Sequence, residues 1–313
     1  MVSFENKMIK VTTINPSYST TRTVTRQQPV IEKQAEDKFE TLLFLPEGAA
    51  RQGEGGLRTQ GYFKASLEGK PLITVITVVF NGEKFLEETI QSVISQTYEN
   101  VEYIIIDGGS TDGTLDIIKR YEDKIDYWIS EKDKGIYDAM NKGIDVASGE
   151  IIGLINADDW YEKDTINTVV KNYLGDKNFD IFHGNLNYIN KSEKIYKPNF
   201  SHRKMLLQGM SLYHPTCFIK RSTYKDEKFD ANYQLVADYK LIFSMMLKGK
   251  KFCYIDKVLA NMRAGGAGTV FWKRIVEGHY IRRDLGFNIV VVYFTSLIRI
   301  ILTLASSLKR LLK

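Results

Sequence analysis

Ile151-Ile152-Gly153-Leu154-Ile155-Asn156-Ala157-Asp158-Asp159-Trp160-Tyr161 is an apolar run that stops on two adjacent carboxylates. Glu150 to Ile155 is too apolar to keep a wet face, so it reads as a central strand of a sheet covered on both sides. The acid pair then sits at the C-terminal edge of that strand, where open α/β sheets bind their ligands. Two carboxylates there form a hard-oxygen site for Mg2+ or Mn2+ able to hold a diphosphate. The plainer alternative is a turn in which Asp159 caps a helix starting near Tyr161.

Working outward, Leu72 to Phe80 is a β-branched run typical of a buried strand, ending at Asn81-Gly82. Helical spacing follows over Glu83 to Gln96, through Phe85, Ile90, Val93 and Ile94. Val101 to Ile106 gives a second strand, which ends at Asp107 and turns through Gly108-Gly109-Ser110-Thr111-Asp112-Gly113-Thr114 into a helix over Leu115 to Tyr121. Asp126 to Ser130 gives a third, followed by Glu131-Lys132-Asp133-Lys134-Gly135 and a helix through Ile136, Met140 and Ile144. This alternation predicts a parallel, right-handed, doubly wound sheet. Asn81, Asp107, Asp133 and Asp158-Asp159 then share one rim. The glycine-rich turn after Asp107 matches neither the dinucleotide fingerprint nor the P-loop. An acid exposed at that strand end suits a base or ribose, whereas Asp112 suits a helix cap.

The chain has 313 residues, 43% hydrophobic and 26% charged, enough for one large domain or two modest ones. Its formal charge of +5 is uneven, because residues 264 to 313 hold eight Lys or Arg against two acids and carry +6, leaving −1 elsewhere. That argues against a nucleic-acid-binding core and for a C-terminal segment that meets an anionic surface. Cys217 and Cys253 lie in apolar contexts, which suggests reduced core thiols in a cytoplasmic protein. The N-terminus lacks the apolar core of a signal peptide, so the catalytic part is expected on the cytoplasmic side.

Residues 1 to 70 read as poorly ordered or extended, rich first in Thr, Ser and Gln and then in glycine. Within them Phe39 to Leu45 reads as an edge strand, and Leu57 to Phe63 as either a glycine-hinged flap over a neighbouring site or a plain linker. Beyond Asp159, short strands are expected at Phe179 to Phe182, Leu186 to Ile189, Lys194 to Tyr196 and Lys251 to Ile255. Met262-Arg263-Ala264-Gly265-Gly266-Ala267-Gly268 reads as a loop, either a lid carrying Arg263 or a linker. From Phe287 to Lys313, Asn288, Thr295, Ser296, Arg299, Thr303, Ser306, Ser307, Arg310 and Lys313 form one narrow polar stripe opposite a broad apolar face. A spanning helix would bury Arg299 at a cost of roughly 2.5–3.5 kcal/mol. An in-plane amphipathic helix avoids that cost and sets the basic residues of 282 to 313 against anionic headgroups. Packing on the protein's own core or in an oligomer interface is the alternative.

Four stretches, in order, resemble the motifs of the family 2 glycosyltransferases with a GT-A fold: Thr74 to Glu83, Ile105 to Thr114, Asp133 to Gly143, and Asn156-Ala157-Asp158-Asp159. The resemblance covers about residues 70 to 262. It implies an inverting transferase that takes a sugar from a nucleotide donor, usually a UDP-sugar, with Mn2+ or Mg2+ on the diphosphate, and passes it to a saccharide or lipid-linked acceptor of bacterial surface polysaccharide. By position Phe80, Asn81 and Glu83 would lie around the base, Asp107 would bind uracil or ribose, and Asp133 with Lys134 would close the nucleotide pocket. Asp158 and Asp159 fall on the family's D-x-D position, with Asp159 as the expected direct metal ligand. Many members have an acid where this chain has Asn156. The family's base helix matches Val236 to Met245; Ala237 replaces the first acid of the usual Glu-Asp pair, and Asp238 is the expected general base. His214, in His214-Pro215-Thr216-Cys217-Phe218, falls near the acceptor. These expectations divide the chain into 1–70, a catalytic domain over 71–262 with its nucleotide half in 71–160, and a basic amphipathic tail over 263–313. The enzyme would lie peripherally on the inner face of the cell membrane.

Overall fold

The computed structural model describes residues 9–30, 38–48, 50–190, 193–197, 210, 212–264 and 271–311. Ten strands form one sheet among them. They are β1 (Arg51–Gly55), β2 (Ile73–Val79), β3 (Val101–Asp107), β4 (Tyr127–Glu131), β5 (Ile151–Asn156), β6 (Trp160–Tyr161), β7 (Ile181–Asn190), β8 (Glu193–Lys197), β9 (Phe218–Lys220) and β10 (Phe252–Arg263). The spatial order is β1-β4-β3-β2-β5-β9-β7-β10-β6, with β8 paired to β7. The helices are α1 (Leu86–Ile94), α2 (Thr114–Arg120), α3 (Ile136–Asp145), α4 (Thr165–Gly175), the single turn α5 (Arg221–Tyr224), α6 (Ala237–Leu247), α7 (Phe271–Asp284) and α8 (Ile289–Leu311).

The centre of the sheet, β4-β3-β2-β5, is parallel throughout. Every residue of β2 and β3 is buried, as their unbroken apolar runs require. Alternate side chains feed two cores: α1, α2 and α4 cover one face, while α3, α6 and Ile281 of α7 cover the other. This is the GT-A arrangement that the motifs imply. Register then builds the rim. Val79 stands beside Asp107, Asp107 beside Ser130, and Val78 beside Asn156.

Several sequence expectations change in the folded chain. The edge strand is Arg51–Gly55, antiparallel to β4, and not Phe39 to Leu45. Its glycines are the reason: a Cβ on Gly53 or Gly55 would meet the Trp128 ring at 2.9 and 2.7 Å, so only glycine lets this segment lie on β4. Leu57 to Phe63 is no flap. Leu57 and Arg58 are buried, and Arg58 is ion-paired to the equally buried Glu102. The described part of the N-terminal segment is ordered, too. Ser19 Oγ donates to Val93 O at 2.9 Å, Thr23 Oγ1 to Glu99 O at 2.8 Å, and Thr25 bridges Phe63.

In the second half, the two strands expected between Phe179 and Ile189 are one, β7. It runs parallel to β10 through two register shifts, and buried His183, Asn185 and Asn187 break its apolar pattern. β10 extends to Arg263, so Met262 and Arg263 are strand; residues 265–268 of the expected lid lie outside the described residues.

The tail is not detached at 262. Ile281 is fully buried in the core that α3 and α6 share, and Phe287 stacks on Phe243 with centroids 5.4 Å apart. In α8, Thr295 and Ser296 of the polar stripe turn inward and are buried, and His279 Nδ1 of α7 lies 3.2 Å from Ser296 Oγ. Burial, beside Arg282 and Arg274, pushes the Arg299 guanidinium down to about 10. The apolar face of the hairpin therefore points outward.

Candidate active site

A cleft of about 490 Å3 opens at the C-terminal edge of β2 and β5, with Phe80, Asn81, Ile136, Asp133, Asn156 and Asp158 on its walls. Asn81 stands at φ 50, in the left-handed region where Asn is tolerated. Its backbone N–H donates to Ser110 Oγ at 2.7 Å, and its side-chain oxygen accepts the Thr111 N–H at 2.8 Å. The β2–α1 and β3–α2 loops are thus stitched together beneath the cleft. Phe80, 63% exposed, forms an aromatic wall of the cleft.

Glu83 belongs to that stitching and does not line the cleft. Its carboxylate accepts the Gly113 N–H at 2.5 Å, and its own N–H donates to Asp112. Asp112 also accepts the Thr114 N–H at the start of α2, the capping expected of it. Asp107, expected on a base or ribose, is fully buried instead. Ser130 Oγ donates to one carboxylate oxygen at 2.5 Å, and Ser110 Oγ to the other. The cause is register, which puts Ser130 of β4 directly beside it. Asp107 is not among the residues on the cleft walls; through Ser110 it holds the loop beneath them.

Asp133 does line the cleft. Its Oδ1 accepts the Gly135 N–H at 2.8 Å, and burial raises its carboxyl above the usual range. A Cβ on Gly108 would stand 2.4 Å from Asp133 Oδ2, so this close approach requires glycine. Lys134 is exposed and faces a neighbouring cavity of about 260 Å3 that Tyr137, Tyr233 and Gln234 also line.

The acid pair divides in a way adjacency does not reveal. Asp158 lines the cleft, whereas Asp159 is 2% exposed and accepts the Arg263 N–H at 3.0 Å. Burial, with Asp158 adding its charge, holds the Asp159 carboxyl well above the usual range. Asp159, expected as the direct metal ligand, is thus buried against Arg263, while Asp158 faces the cleft. Beside it, Asn156 Oδ1 is buried with no hydrogen-bond partner among the described residues. An unpaired carbonyl oxygen next to a carboxylate is a donor set that suits a hard divalent cation. No three His, Cys, Asp or Glu side chains converge among the described residues, so donor phosphates and water would complete such a shell.

Arg263 does not reach over the cleft. It ion-pairs with Glu88 and lies over the Phe85 and Trp160 rings at 4.4 and 4.5 Å. Asp238, the second residue of α6, accepts the Tyr239 N–H at 2.8 Å and meets the Tyr137 hydroxyl at 3.4 Å. His214 Nδ1 lies 3.9 Å from Asp238 Oδ2, and His214 Nε2 is buried without a partner among the described residues. Burial lowers the His214 pKa against the opposing pull of Asp238 and Asp158. Both carboxylates thus act on the imidazole through their charge, Asp238 from the closer position. Tyr137, inside a quoted motif but given no role there, is the contact the sequence reading missed.

A model of glycosyl transferase family 2 matches residues 74–233. The putative teichuronic acid biosynthesis glycosyltransferase TuaG of Bacillus subtilis is 40% identical over 101 residues, 31% of this chain and 40% of that one. A crystal structure of S. aureus TarS 1–349 with UDP superposes at a TM-score of 0.55 and 16% identity, covering 73% of this chain and 70% of that one. The mannosyltransferase PcManGT of Pyrobaculum calidifontis, with GDP-Man and Mn2+, superposes at 0.54 and 19% identity over the same shares. Both structures share the fold. The chain spans 18% to 66% of the length of several curated relatives that it matches. With the family model covering half of the chain, from β2 to the segment before α6, this protein belongs to glycosyl transferase family 2.

Proposed function

We propose that the protein is an inverting glycosyltransferase that moves a sugar from a nucleotide donor, most suitably a UDP-sugar, to a hydroxyl of a saccharide or lipid-linked saccharide. The role would be in cell-surface polysaccharide synthesis, a reading supported by the relative TuaG, which is named for teichuronic acid biosynthesis. The observation that carries the reading is the cleft that gathers Phe80, Asn81, Asp133, Asn156 and Asp158, with His214, 3.9 Å from Asp238, under the charge of Asp158 as well. Phe80 offers a face for the base, and Asp133 acts on the nucleoside side. Asp158 and Asn156 would hold Mn2+ or Mg2+, which when bound supplies Lewis-acid stabilisation of the departing diphosphate. Asp238 accepts the proton of the attacking hydroxyl, and the buried Nε2 of neutral His214 orients a substrate hydroxyl. The nucleotides held by TarS and PcManGT, and the Mn2+ of the latter, support the donor and metal classes.

Calorimetric titration of UDP, GDP and CDP with and without Mn2+ tests this. Metal-dependent, UDP-selective binding is expected, followed by hydrolysis of a UDP-sugar. Selectivity for GDP would change the donor, and binding of none of the three by folded protein would refute the reading.

We further propose that the helical hairpin meets the membrane. Trp272, Val276 and Tyr280 of α7 and Ile289, Val290, Tyr293, Phe294, Leu297 and Ile301 of α8 are exposed. No helix among the described residues is long and apolar enough to cross a bilayer. An outward apolar face on a segment of charge +6 suits the anionic inner face of a cell membrane. Phe294→Glu with Leu297→Glu should release the protein from phosphatidylglycerol vesicles while sparing UDP binding. Vesicle binding retained by that variant would refute the contact.

A further inference from the structure

We infer that α7 is part of the catalytic unit and that its Glu277 is the positioning residue for Asp238, an inference that rests on the glycosyltransferase reading above. The Glu277 carboxylate is buried, with 9% exposure. It accepts three consecutive backbone N–H groups: Gln234 at 3.1 Å, Leu235 at 2.9 Å and Val236 at 3.2 Å. Successive N–H groups converging on one anion fix the path of the backbone that supplies them. Here that backbone is the lead-in to α6, whose N-cap residue Val236 has no capping side chain of its own. Asp238 follows two residues later. Any shift of this segment moves the base directly.

Three more contacts come from the same helix. Asp284 accepts from Tyr233 Oη at 2.6 Å and from Lys240 Nζ at 2.8 Å, and Lys273 Nζ binds the Gln234 side chain. Lys273, Glu277 and Asp284 are spaced i, i+4 and i+11, so one face of α7 grips residues 233–240. The adjoining strip of the same helix carries exposed Trp272, Val276 and Tyr280. Tyr233 and Gln234 also wall the 260 Å3 cavity that reaches Tyr137, the hydroxyl neighbour of Asp238. The helix that presents an apolar surface outward is therefore the one that holds the base and the adjoining cavity wall inward. Nothing else among the described residues accepts the three N–H groups of Gln234, Leu235 and Val236.

The test uses the full chain with Glu277→Ala and Glu277→Gln. Hydrolysis of UDP-GlcNAc, UDP-glucose and UDP-galactose gives kcat and KM, calorimetry gives UDP affinity with Mn2+, and amide exchange reports residues 234–239. Glu277→Ala should lower kcat about 10- to 100-fold with donor KM and UDP affinity unchanged, because misplacing a catalytic group acts on turnover and not on donor binding. Exchange at 234–236 should quicken. Glu277→Gln, which keeps an acceptor oxygen, should fall between, and keeps the test open if the alanine variant does not fold. Adding Asp238→Asn to Glu277→Ala should cost little more than Asp238→Asn alone. Wild-type kcat in Glu277→Ala, or parallel losses of kcat and UDP affinity, would overturn the inference. Wild-type protein that hydrolyses none of the three sugars would instead count against the function reading. Unchanged exchange at 234–236 in Glu277→Ala would then still refute Glu277 as the anchor.

Discussion

At the N-terminal edge of the parallel strands, Glu102 is fully buried and accepts from Arg58 at 2.5 Å, Thr74 Oγ1 at 2.6 Å and the Ser148 N–H at 2.8 Å. At the C-terminal edge of the same sheet, Asp158 lines a cleft beside the unpartnered Asn156 Oδ1. Near Glu102, Asp126 is also sealed. Its Oδ2 accepts the Tyr103 N–H at 2.8 Å, Lys64 lies 4.0 Å from Oδ1, and burial pushes its carboxyl up to about 7. The difference lies in the supply of partners. Residues 57–70 bring Arg58 and Lys64 to one edge, and no segment among the described residues does the same for Asp158. A carboxylate at a strand end is thus structural or open to ligand according to what the rest of the chain lays across it.

The comparison breaks most visibly at Arg58. Arg58→Ala leaves Glu102 buried and uncompensated, and should cost about 3–5 kcal/mol in urea unfolding while UDP binding per folded molecule stays unchanged. At the open edge the effects should run the other way. Asp238→Asn should lower turnover about 100- to 10,000-fold with the urea midpoint and UDP affinity preserved, as checked by donor hydrolysis and calorimetry. Asp158→Asn should remove the Mn2+ dependence of UDP binding without loss of stability. Asp159→Asn should instead cost about 1–3 kcal/mol, because it weakens the buried acceptor for the Arg263 N–H. Equal effects of the two on metal-dependent binding would show that both face the cation. The smallest effect belongs to the exposed stitch: Glu83→Ala should cost about 1 kcal/mol in thermal unfolding and spare UDP binding.

Most of the rim was legible before folding was considered, because buried parallel strands announce themselves as apolar runs and end on turn residues that a ligand or a cap must use. What each acid does there was not. Asp158 and Asp159 are neighbours in sequence, yet the turn between β5 and β6 sends one to the cleft and the other to Arg263 of β10, 104 residues away. Asp107 sits where a nucleotide contact is expected, but Ser130 of the adjacent strand occupies its carboxylate. The strand at Arg51–Gly55 was hidden because glycine carries no strand signal of its own; its placement depends on Trp128. The helical stripe of 287–313 was visible, but not which side of it would be covered.

The sequence by itself determined the parallel α/β order, the rim of Asn81, Asp133 and Asp158, the helix carrying Asp238 and the charge of the tail. Each of these follows from local periodicity, turn chemistry or composition, which neighbouring residues settle among themselves. Only the tertiary structure decided that Asp107 and Asp159 are sealed, that Thr295 and Ser296 of α8 face inward, and that Glu277 of α7 holds the segment before Asp238. Those outcomes depend on pairings between residues tens to hundreds of positions apart, where burial and partner supply, not local pattern, set the free energy.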